Sequence, residues 1–152
     1  MKNRDILYLA DSGVTHITAH SLSPEASYKV YRFKRALKKL RQEIIDQNAE
    51  FLEELRIDDP RSFDKLRTEL YGMAKRTEEQ EKELAELNEK ANRFFGMRNE
   101  MLEYSVVLEG FGKLSYEDWK KLQDENKVGD LDPLTGDAEE LLEGVLWEAP
   151  SW

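Results

Sequence analysis

The sequence predicts a mainly α-helical protein: a long antiparallel helical hairpin of the coiled-coil type, with a small β-hairpin or sheet at its open end and a short C-terminal helix. Apolar residues recur at alternating spacings of three and four along two long stretches. Pro60 separates the stretches, and charged blocks of opposite sign would face each other if the chain reversed there. The length of 152 residues fits one domain.

The first predicted element is an N-terminal β-hairpin. Residues 6–10 and 14–19 are short β-prone runs, and Gly13 between them can adopt the left-handed conformation of a hairpin loop. In this context His16 and His20 would lie up to roughly 13 Å apart along the chain. That separation favours surface histidines over a metal-binding pair.

A long first helix is predicted over residues 24–57. Ser23 offers an N-cap hydroxyl, and Pro24 suits the first helical position because its missing N–H costs nothing there. The apolar residues follow a heptad seam: Ala26, Val30, Phe33, Leu37, Leu40 and Ile44, then Phe51 and Leu55. Pro60 ends the helix, because proline disfavours helix at the residue before it.

A second helix is predicted over residues 61–104. Its seam comprises Phe63, Leu66, Leu70 and Met73, then Leu84, Leu87, Ala91, Phe94 and Met101. Polar Thr77 and Gln80 interrupt the seam, but its phase survives, so one helix of about forty residues is the simplest interpretation. Gly72 or the charge-dense residues 75–83 could instead host a kink or a break.

Charge complementarity supports an antiparallel arrangement of the two helices. Residues 29–41 contain seven bases and no acid, whereas residues 78–89 contain six glutamates and one lysine. A reversal near Asp59 would bring these stretches face to face. An exposed ion pair contributes only roughly a few tenths of a kcal/mol to stability. The charge match therefore favours one register and orientation of the helices but adds little stability.

After the second helix the pattern changes to β-prone residues 105–111, which could pair with the N-terminal hairpin. Ser115 and Asp118 then resemble a capping box at the start of a short late helix. These elements complete a predicted domain over residues 1–127. Residues 128–152 are predicted to form a separate acidic and apolar segment.

This C-terminal segment combines seven acids and no base with a group of large apolar residues. These apolar residues must be buried against some surface, and the sequence leaves two alternatives. The segment packs back on the hairpin, or it docks on a partner as a helix in a groove. For docking, the predicted partner-binding residues are Asp137, Glu139, Glu140, Leu141, Leu142, Val145, Leu146 and Trp147. Deleting residues 128–152 is then expected to leave the fold intact and abolish binding.

No catalytic, cofactor-binding or metal-binding residue is predicted. The chain has no cysteine, which excludes thiolate zinc sites and cysteine nucleophiles. It has only two histidines, which argues against most catalytic triads. Residues 130–141 superficially resemble a calcium loop, but its fifth position is Leu134 and its twelfth is Leu141, which favours a polar turn. Neither an enzyme activity nor a cofactor is expected.

The net charge of −9 argues against a general binder of polyanions. The basic residues 29–41 are interleaved with Tyr28, Tyr31 and Phe33, an arrangement that can serve single-stranded nucleic acid. The intramolecular role is favoured instead, because opposing glutamates would reduce the potential available to phosphates. Direct binding of nucleic acid is therefore not expected.

The order of these elements resembles that of a known group of proteins. A short N-terminal β segment precedes a basic helix through residues 28–35 (YKVYRFKR), an acidic returning helix, an apolar run at residues 106–108 and the sequence LSYEDW at residues 114–119. Over residues 22–122 the order is similar to that of small helical-hairpin proteins encoded among phage and prophage structural genes. The resemblance implies a phage-encoded assembly or accessory protein and carries over no catalytic residue.

The predicted function is therefore non-enzymatic protein–protein interaction or assembly of the phage type, with a phage structural protein or a basic host protein as partner. A homo-oligomer is expected, because several apolar residues lie off the main seam: Tyr31, Ile45, Leu52, Phe95 and Leu102. The alternative is an acidic inhibitor that mimics nucleic acid and blocks a basic groove of a host nucleic-acid-binding or defence protein.

No apolar run approaches the roughly 18 residues needed to cross a bilayer, and the N-terminus lacks the apolar stretch of a signal peptide. Neither insertion into a membrane nor secretion is expected. If the resemblance holds, the protein is placed in the host cytoplasm or in the virion.

Overall fold

The computed structural model describes residues 1–150, so the last two residues of the predicted C-terminal segment lie outside the described chain. The described chain is mainly helical, as the sequence predicts. Its elements are α1 (Asn3–Asp11), a 3₁₀ helix (Val14–His16), α2 (Pro24–Glu54), α3 (Pro60–Tyr71), α4 (Glu78–Glu103), α5 (Tyr116–Glu125) and α6 (Asp137–Leu142). They form two compact units: a terminal unit of Met1–Glu43 with the chain from Tyr104 onward, and a middle unit of Ile44–Glu103.

The predicted N-terminal β-hairpin is wrong. Residues 6–10 lie in α1, the second run begins as the 3₁₀ helix, and the described chain contains no strand. The cause is the spacing of the buried side chains: Ile6 and Leu9 are fully buried, whereas Tyr8 is 44% exposed. Burial at i and i+3 marks one face of a helix, while a half-buried strand would bury alternate residues.

The predicted pairing of residues 105–111 with the N-terminus is reduced to one short contact. Lys2 and Ser105 form an isolated antiparallel bridge, flanked by backbone hydrogen bonds of 2.9 Å and 2.8 Å. Farther along, the segment packs by side chains, with Phe111 meeting Phe33 edge to face at 5.7 Å between ring centroids. The segment therefore closes the terminal unit without forming a sheet.

Helix α2 begins where the sequence predicts. Ser23 accepts a hydrogen bond from the backbone N–H of Ala26 (3.3 Å), and Pro24 occupies the first position. Within the predicted seam, Ala26, Val30, Phe33, Leu37 and Ile44 are buried and Leu40 is half-buried. The helix ends at Glu54, three residues earlier than predicted, and Arg56 at φ 57° then redirects the chain.

The predicted second helix is two helices, so the single span over residues 61–104 is wrong. Helix α3 ends at Tyr71 and α4 starts at Glu78. Between them Thr77 and Gln80 form a reciprocal capping box: the backbone N–H of Thr77 donates to the Gln80 side chain (2.9 Å), and that of Gln80 donates to the Thr77 hydroxyl (3.1 Å). The polar interval in the seam is therefore a helix start.

The predicted boundary at residue 127 does not separate two parts of the structure, because the described chain from Tyr104 onward belongs to the terminal unit throughout. Trp119 of α5 is fully buried, and so are Leu134, Leu142 and Leu146 of the predicted separate segment. Leu134, Leu142 and Leu146 are therefore buried within the same unit as Trp119.

Candidate functional site

The eight residues predicted to bind a partner do not form one helical face. Helix α6 ends at Leu142, so the last three of the eight lie beyond it. Leu142, Leu146 and Trp147 are buried, Glu139, Leu141 and Val145 are half-buried, and Asp137 and Glu140 are exposed. A helix laid into a groove needs its apolar anchors on an accessible face, and this segment does not offer one.

Trp147 holds this segment in the terminal unit. Its indole stacks on that of Trp119, with 5.3 Å between ring centroids. The Trp147 Nε1–H donates to the backbone carbonyl of Glu139 (3.1 Å), and the Trp119 Nε1–H donates to the carboxylate of the same residue (3.4 Å). The backbone N–H of Leu114 donates to the Leu146 carbonyl at 2.7 Å. These contacts take the predicted apolar anchors into the core.

The middle unit has a small core and a large exposed apolar surface. Of the 26 buried apolar side chains in the described chain, this unit holds seven: Ile44, Leu55, Ile57, Leu70, Leu84, Ala91 and Leu102. Five of its large apolar side chains are exposed, and we call them the exposed apolar set: Ile45, Leu66, Tyr71, Met73 and Phe95. Tyr71 is 77% exposed. This set is the candidate functional site.

The sequence identified part of this site. Of the residues predicted to lie off the seam, Tyr31, Ile45 and Phe95 are exposed, Leu52 is half-buried and Leu102 is buried. The assignment of Leu102 to an outer face is therefore wrong. Leu66 and Met73 were predicted to lie in the seam, yet they are 37% and 39% exposed. Tyr71 was missed because its position was interpreted as the middle of a continuous helix.

Arg76 fixes the backbone that carries Tyr71 and Met73. Its Nη1 donates to the carbonyls of Leu70 (3.1 Å), Tyr71 (3.3 Å) and Met73 (3.4 Å), at the end of α3 where helical donors run out. Its Nε pairs with the Glu81 carboxylate at 2.9 Å, in the first turn of α4. One guanidinium thus joins the end of α3 to the start of α4, so the exposed side chains sit on a defined turn.

Three of the seven basic residues between positions 29 and 41 have hydrogen-bond or ion-pair partners within the terminal unit. These partners are the Asp11 carboxylate for Arg41 (3.3 Å), the Lys113 carbonyl for Lys29 (3.2 Å) and the Ile17 carbonyl for Lys34. Burial, together with the nearby charge of Lys38, lowers the pKa of Lys34. The sequence predicts glutamates 78–89 as partners of these cations, but none of the three contacts is with one of those glutamates.

The described residues assemble no evident chemical centre. No group of three His, Cys, Asp or Glu side chains among them is placed to hold a metal ion. A cavity of about 670 Å³ in the terminal unit includes Ser23, Ser115, Lys29 and Lys113 in its lining. Both serine hydroxyls accept hydrogen bonds from helical N–H groups, as N-caps do.

Comparisons of the chain with protein-family models, with curated proteins and with solved structures find no match. Within residues 1–150, no helix combines the length and the apolar character that crossing a bilayer requires. A functional assignment for this chain therefore depends on the surfaces of its two units.

Proposed function

We propose that the chain is a non-enzymatic interaction protein of the phage assembly or accessory type, and that it self-associates through the exposed apolar set of the middle unit. One observation carries the proposal: five large apolar side chains are exposed on a unit that buries only seven. The resemblance of residues 22–122 to helical-hairpin proteins encoded among phage structural genes supports the phage-type assignment.

Exposed apolar surface has a thermodynamic cost that a partner can remove. Burying it contributes about 25 cal/mol per Å² of apolar area, and exposed apolar patches on folded proteins commonly mark interaction sites. Leu66, Tyr71 and Met73 lie within eight residues at the end of α3. Helix α3 packs against α4, which carries Phe95 beside Phe94 with 6.0 Å between their ring centroids. Each of these two packed helices thus carries exposed apolar side chains.

The partner that we propose is a second copy of the chain. A two-fold interface places the same patch on both molecules, so a patch with apolar groups and both signs of charge can be self-complementary. Near its apolar residues α3 carries Lys65 and Arg67, and α4 starts with Glu78 and Glu79. Such charges can form the polar rim around an apolar contact.

The helical-hairpin geometry is part of the same proposal. The end of α2 and the whole of α4 belong to the middle unit. In α4 the buried residues Leu84 and Ala91 are seven residues apart, which is the repeat of a packing seam, and half-buried Leu87 lies between them. The 26 residues of α4 give an arm of about 39 Å. Antiparallel packing of these helices would make a rigid spacer that presents the exposed apolar set.

Light scattering coupled to size exclusion, from micromolar to millimolar concentration, tests the proposal. The wild-type chain is expected to shift from monomer to dimer as its concentration rises. The double variant Tyr71→Ser/Phe95→Ser is expected to stay monomeric, since it removes two large members of the exposed apolar set. The matched control is Val107→Ser/Leu131→Ser, which removes exposed apolar side chains of the terminal unit. It should dimerise like the wild type.

A wild-type chain that stays monomeric at millimolar concentration would refute self-association. A control variant that loses dimerisation as fully as Tyr71→Ser/Phe95→Ser would place the contact elsewhere on the chain. Circular dichroism of each variant establishes that the comparison is made between folded proteins.

The acidic-inhibitor alternative has one observation in its favour. The glutamates of residues 78–89 are all exposed along α4, and within residues 1–150 only Glu81 among them has an ion-pair partner, Arg76. Carboxylates spaced along a helix can imitate a phosphate backbone and steer the chain toward a basic groove. This alternative predicts that capture of a basic host protein weakens steeply with salt, whereas an apolar contact between copies weakens little.

A further inference from the structure

The outer face of α2 in the terminal unit is strongly basic. Tyr28, Arg35 and Gln42 recur every seven residues opposite the buried seam, and Tyr31, Arg32, Lys38 and Lys39 flank them. Every one of these seven side chains is exposed. No acid occurs between Glu25 and Glu43 along the helix. We call the six residues Tyr28, Tyr31, Arg32, Arg35, Lys38 and Lys39 the basic face.

The cations of this face are available to a ligand. Arg35, Lys38 and Lys39 make no hydrogen bond or ion pair with any residue that the structure describes, and Arg32 only lies over the Tyr28 ring at 5.9 Å. The inward cations of the same helix have protein partners, as described above. The sequence argues against polyanion binding because opposing carboxylates would neutralise the basic residues. No carboxylate within residues 1–150 forms an ion pair with Arg32, Arg35, Lys38 or Lys39.

Two tyrosines give the face a second kind of contact. Tyr28 and Tyr31 are 61% and 57% exposed. An exposed ring beside a cation offers a stacking platform for an unpaired base, while the cation meets the phosphate. A paired base in a duplex cannot use such a platform, because its faces are already stacked.

A concave site adjoins the basic face. A cavity of about 500 Å³ is lined by Lys38 of the face, and by Arg41 and His16. One carboxylate, Asp11, also lines it and is paired with Arg41 at 3.3 Å. The excess of cations suits a phosphate group or the end of a nucleotide chain. Lys38 belongs to both the cavity and the face, so one strand can contact the two together.

From this juxtaposition we infer that the basic face of α2 and the adjoining cavity bind single-stranded nucleic acid, with phosphates on Arg32, Arg35, Lys38 and Lys39 and bases on Tyr28 and Tyr31. The inference goes beyond the proposed self-association, which uses the middle unit. The negative charge of the whole chain does not oppose it, because charges farther away than the Debye length of about 10 Å are largely screened at 0.1 M salt.

The same cations could bind an acidic protein, but the two tyrosines favour a nucleic acid. Carboxylates on a partner would leave Tyr28 and Tyr31 without a role, whereas unpaired bases use both rings. Binding to an acidic protein surface is therefore an outcome that the test must separate.

Fluorescence anisotropy with a labelled oligothymidine, long enough to cross the face, tests the inference on the full chain. Binding is expected at low salt, and the affinity should fall about fiftyfold between about 50 and 200 mM salt if four phosphates are neutralised. Tyr28→Ser/Tyr31→Ser should weaken binding about tenfold or more through lost stacking. Arg35→Glu/Lys39→Glu should abolish it.

The matched control is Arg61→Glu/Lys75→Glu, which makes the same change of net charge at exposed positions of the middle unit. It should bind within about threefold of the wild type, because distant charges are screened. Circular dichroism checks that each variant is folded. A duplex of the same length serves as competitor and should bind more weakly than the single strand.

Four results would overturn the inference: no binding by the wild type at low salt, equal weakening by the control variant, duplex binding as tight as single-strand binding, or no effect of the tyrosine substitutions. If Arg35→Glu/Lys39→Glu instead changes the oligomeric state of a chain that binds no oligonucleotide, the face serves an acidic protein surface, and the inference is likewise wrong.

Discussion

The carboxylate of Glu125, at the end of α5, accepts a hydrogen bond from the backbone N–H of His20, 2.9 Å away and 105 residues earlier in the chain. The same carboxylate accepts hydrogen bonds from the Thr18 hydroxyl and the Ser21 backbone N–H. The neighbouring Asn126 side chain bonds both the N–H (2.8 Å) and the carbonyl (2.9 Å) of Thr18. Two consecutive side chains at the C-terminal end of α5, those of Glu125 and its C-cap Asn126, thus hold the loop that precedes α2.

Glu125 makes stability depend on pH. Burial raises its pKa, but the hydrogen bonds from Thr18, Ser21 and His20 outweigh burial and lower the pKa from 4.5 to about 2. A carboxyl whose folded-state pKa is depressed contributes stability above its unfolded pKa, and that contribution disappears as the pH falls toward the folded pKa. We expect the contribution of Glu125 to be complete above pH 4.5 and lost between pH 4.5 and about 2.

Urea denaturation of Glu125→Gln and the wild type over this pH range checks the prediction. The variant should be less stable at neutral pH, and the difference should shrink as the pH falls below 4.5. The control is Glu117→Gln, at an exposed position of the same helix. A constant difference between Glu125→Gln and the wild type at every pH would contradict the assigned ionised contact.

Trp147→Ala is expected to destabilise the terminal unit strongly. The substitution removes a buried ring that stacks on Trp119, and large-to-alanine changes in a core cost about 3 to 5 kcal/mol. A melting temperature lower by on the order of 10 °C should result in a domain of this size. Val128→Ala, at an exposed position of the same segment, should change the melting temperature little. Equal effects of both substitutions would show that the segment is not part of the core.

Arg76→Ala is expected to loosen the connection between α3 and α4. The variant removes the guanidinium that donates to the carbonyls of Leu70, Tyr71 and Met73, and it removes the pair with Glu81, a loss of about 1 to 3 kcal/mol. Thermal unfolding measures the effect. Lys75→Ala removes the adjacent exposed cation and should be nearly neutral. If Lys75→Ala destabilised the chain as much as Arg76→Ala, the effect would come from charge alone.

Asn48→Leu is expected to stabilise the middle unit. The Asn48 side-chain oxygen is buried without a hydrogen-bond partner, and leaving such a group unsatisfied has a free-energy cost of about 1 to 3 kcal/mol. Leucine has a similar size and suits the apolar seam beside Ile44. The melting temperature should rise by about 2 to 4 °C for each kcal/mol regained. Asn92→Leu, at an exposed position of α4, should give no such rise.

Helix starts with capping residues could be predicted from the sequence. Ser23 with Pro24 marks the start of α2, and Ser115 caps α5 by accepting from the Asp118 N–H at 3.1 Å. Asp59 likewise caps α3, with its carboxylate accepting from the Arg61 N–H. These signals are local, because the cap and the N–H that it satisfies lie within three residues.

The errors arose where a local signal was given the wrong weight. The motif Thr77-x-x-Gln80 is a capping box, but it was interpreted as a polar interruption because the hydrophobic phase continued across it. In the N-terminal region the β-prone composition of residues 6–10 was preferred over the helical spacing of Ile6 and Leu9. Periodicity proved the better guide there.

The placement of the C-terminal segment could not be predicted from its sequence. Its apolar residues required burial, but an intramolecular surface and a partner satisfy that requirement equally well. The deciding contacts join Trp147 to Trp119 and Leu146 to Leu114, positions that are 28 and 32 residues apart. Because these contacts depend on residues far away in the sequence, the sequence of the segment alone does not indicate them.

The most direct test of the central claim is photo-cross-linking, because it reports which side chains touch a second copy. Photoreactive benzoylphenylalanine would be incorporated in place of Tyr71 or Phe95, and in place of Tyr116, an exposed aromatic residue of the terminal unit, as control. Irradiation should give a covalent dimer from the first two chains and only monomer from the third. Monomer from all three, or equal dimer from the Tyr116 position, would contradict self-association through the exposed apolar set.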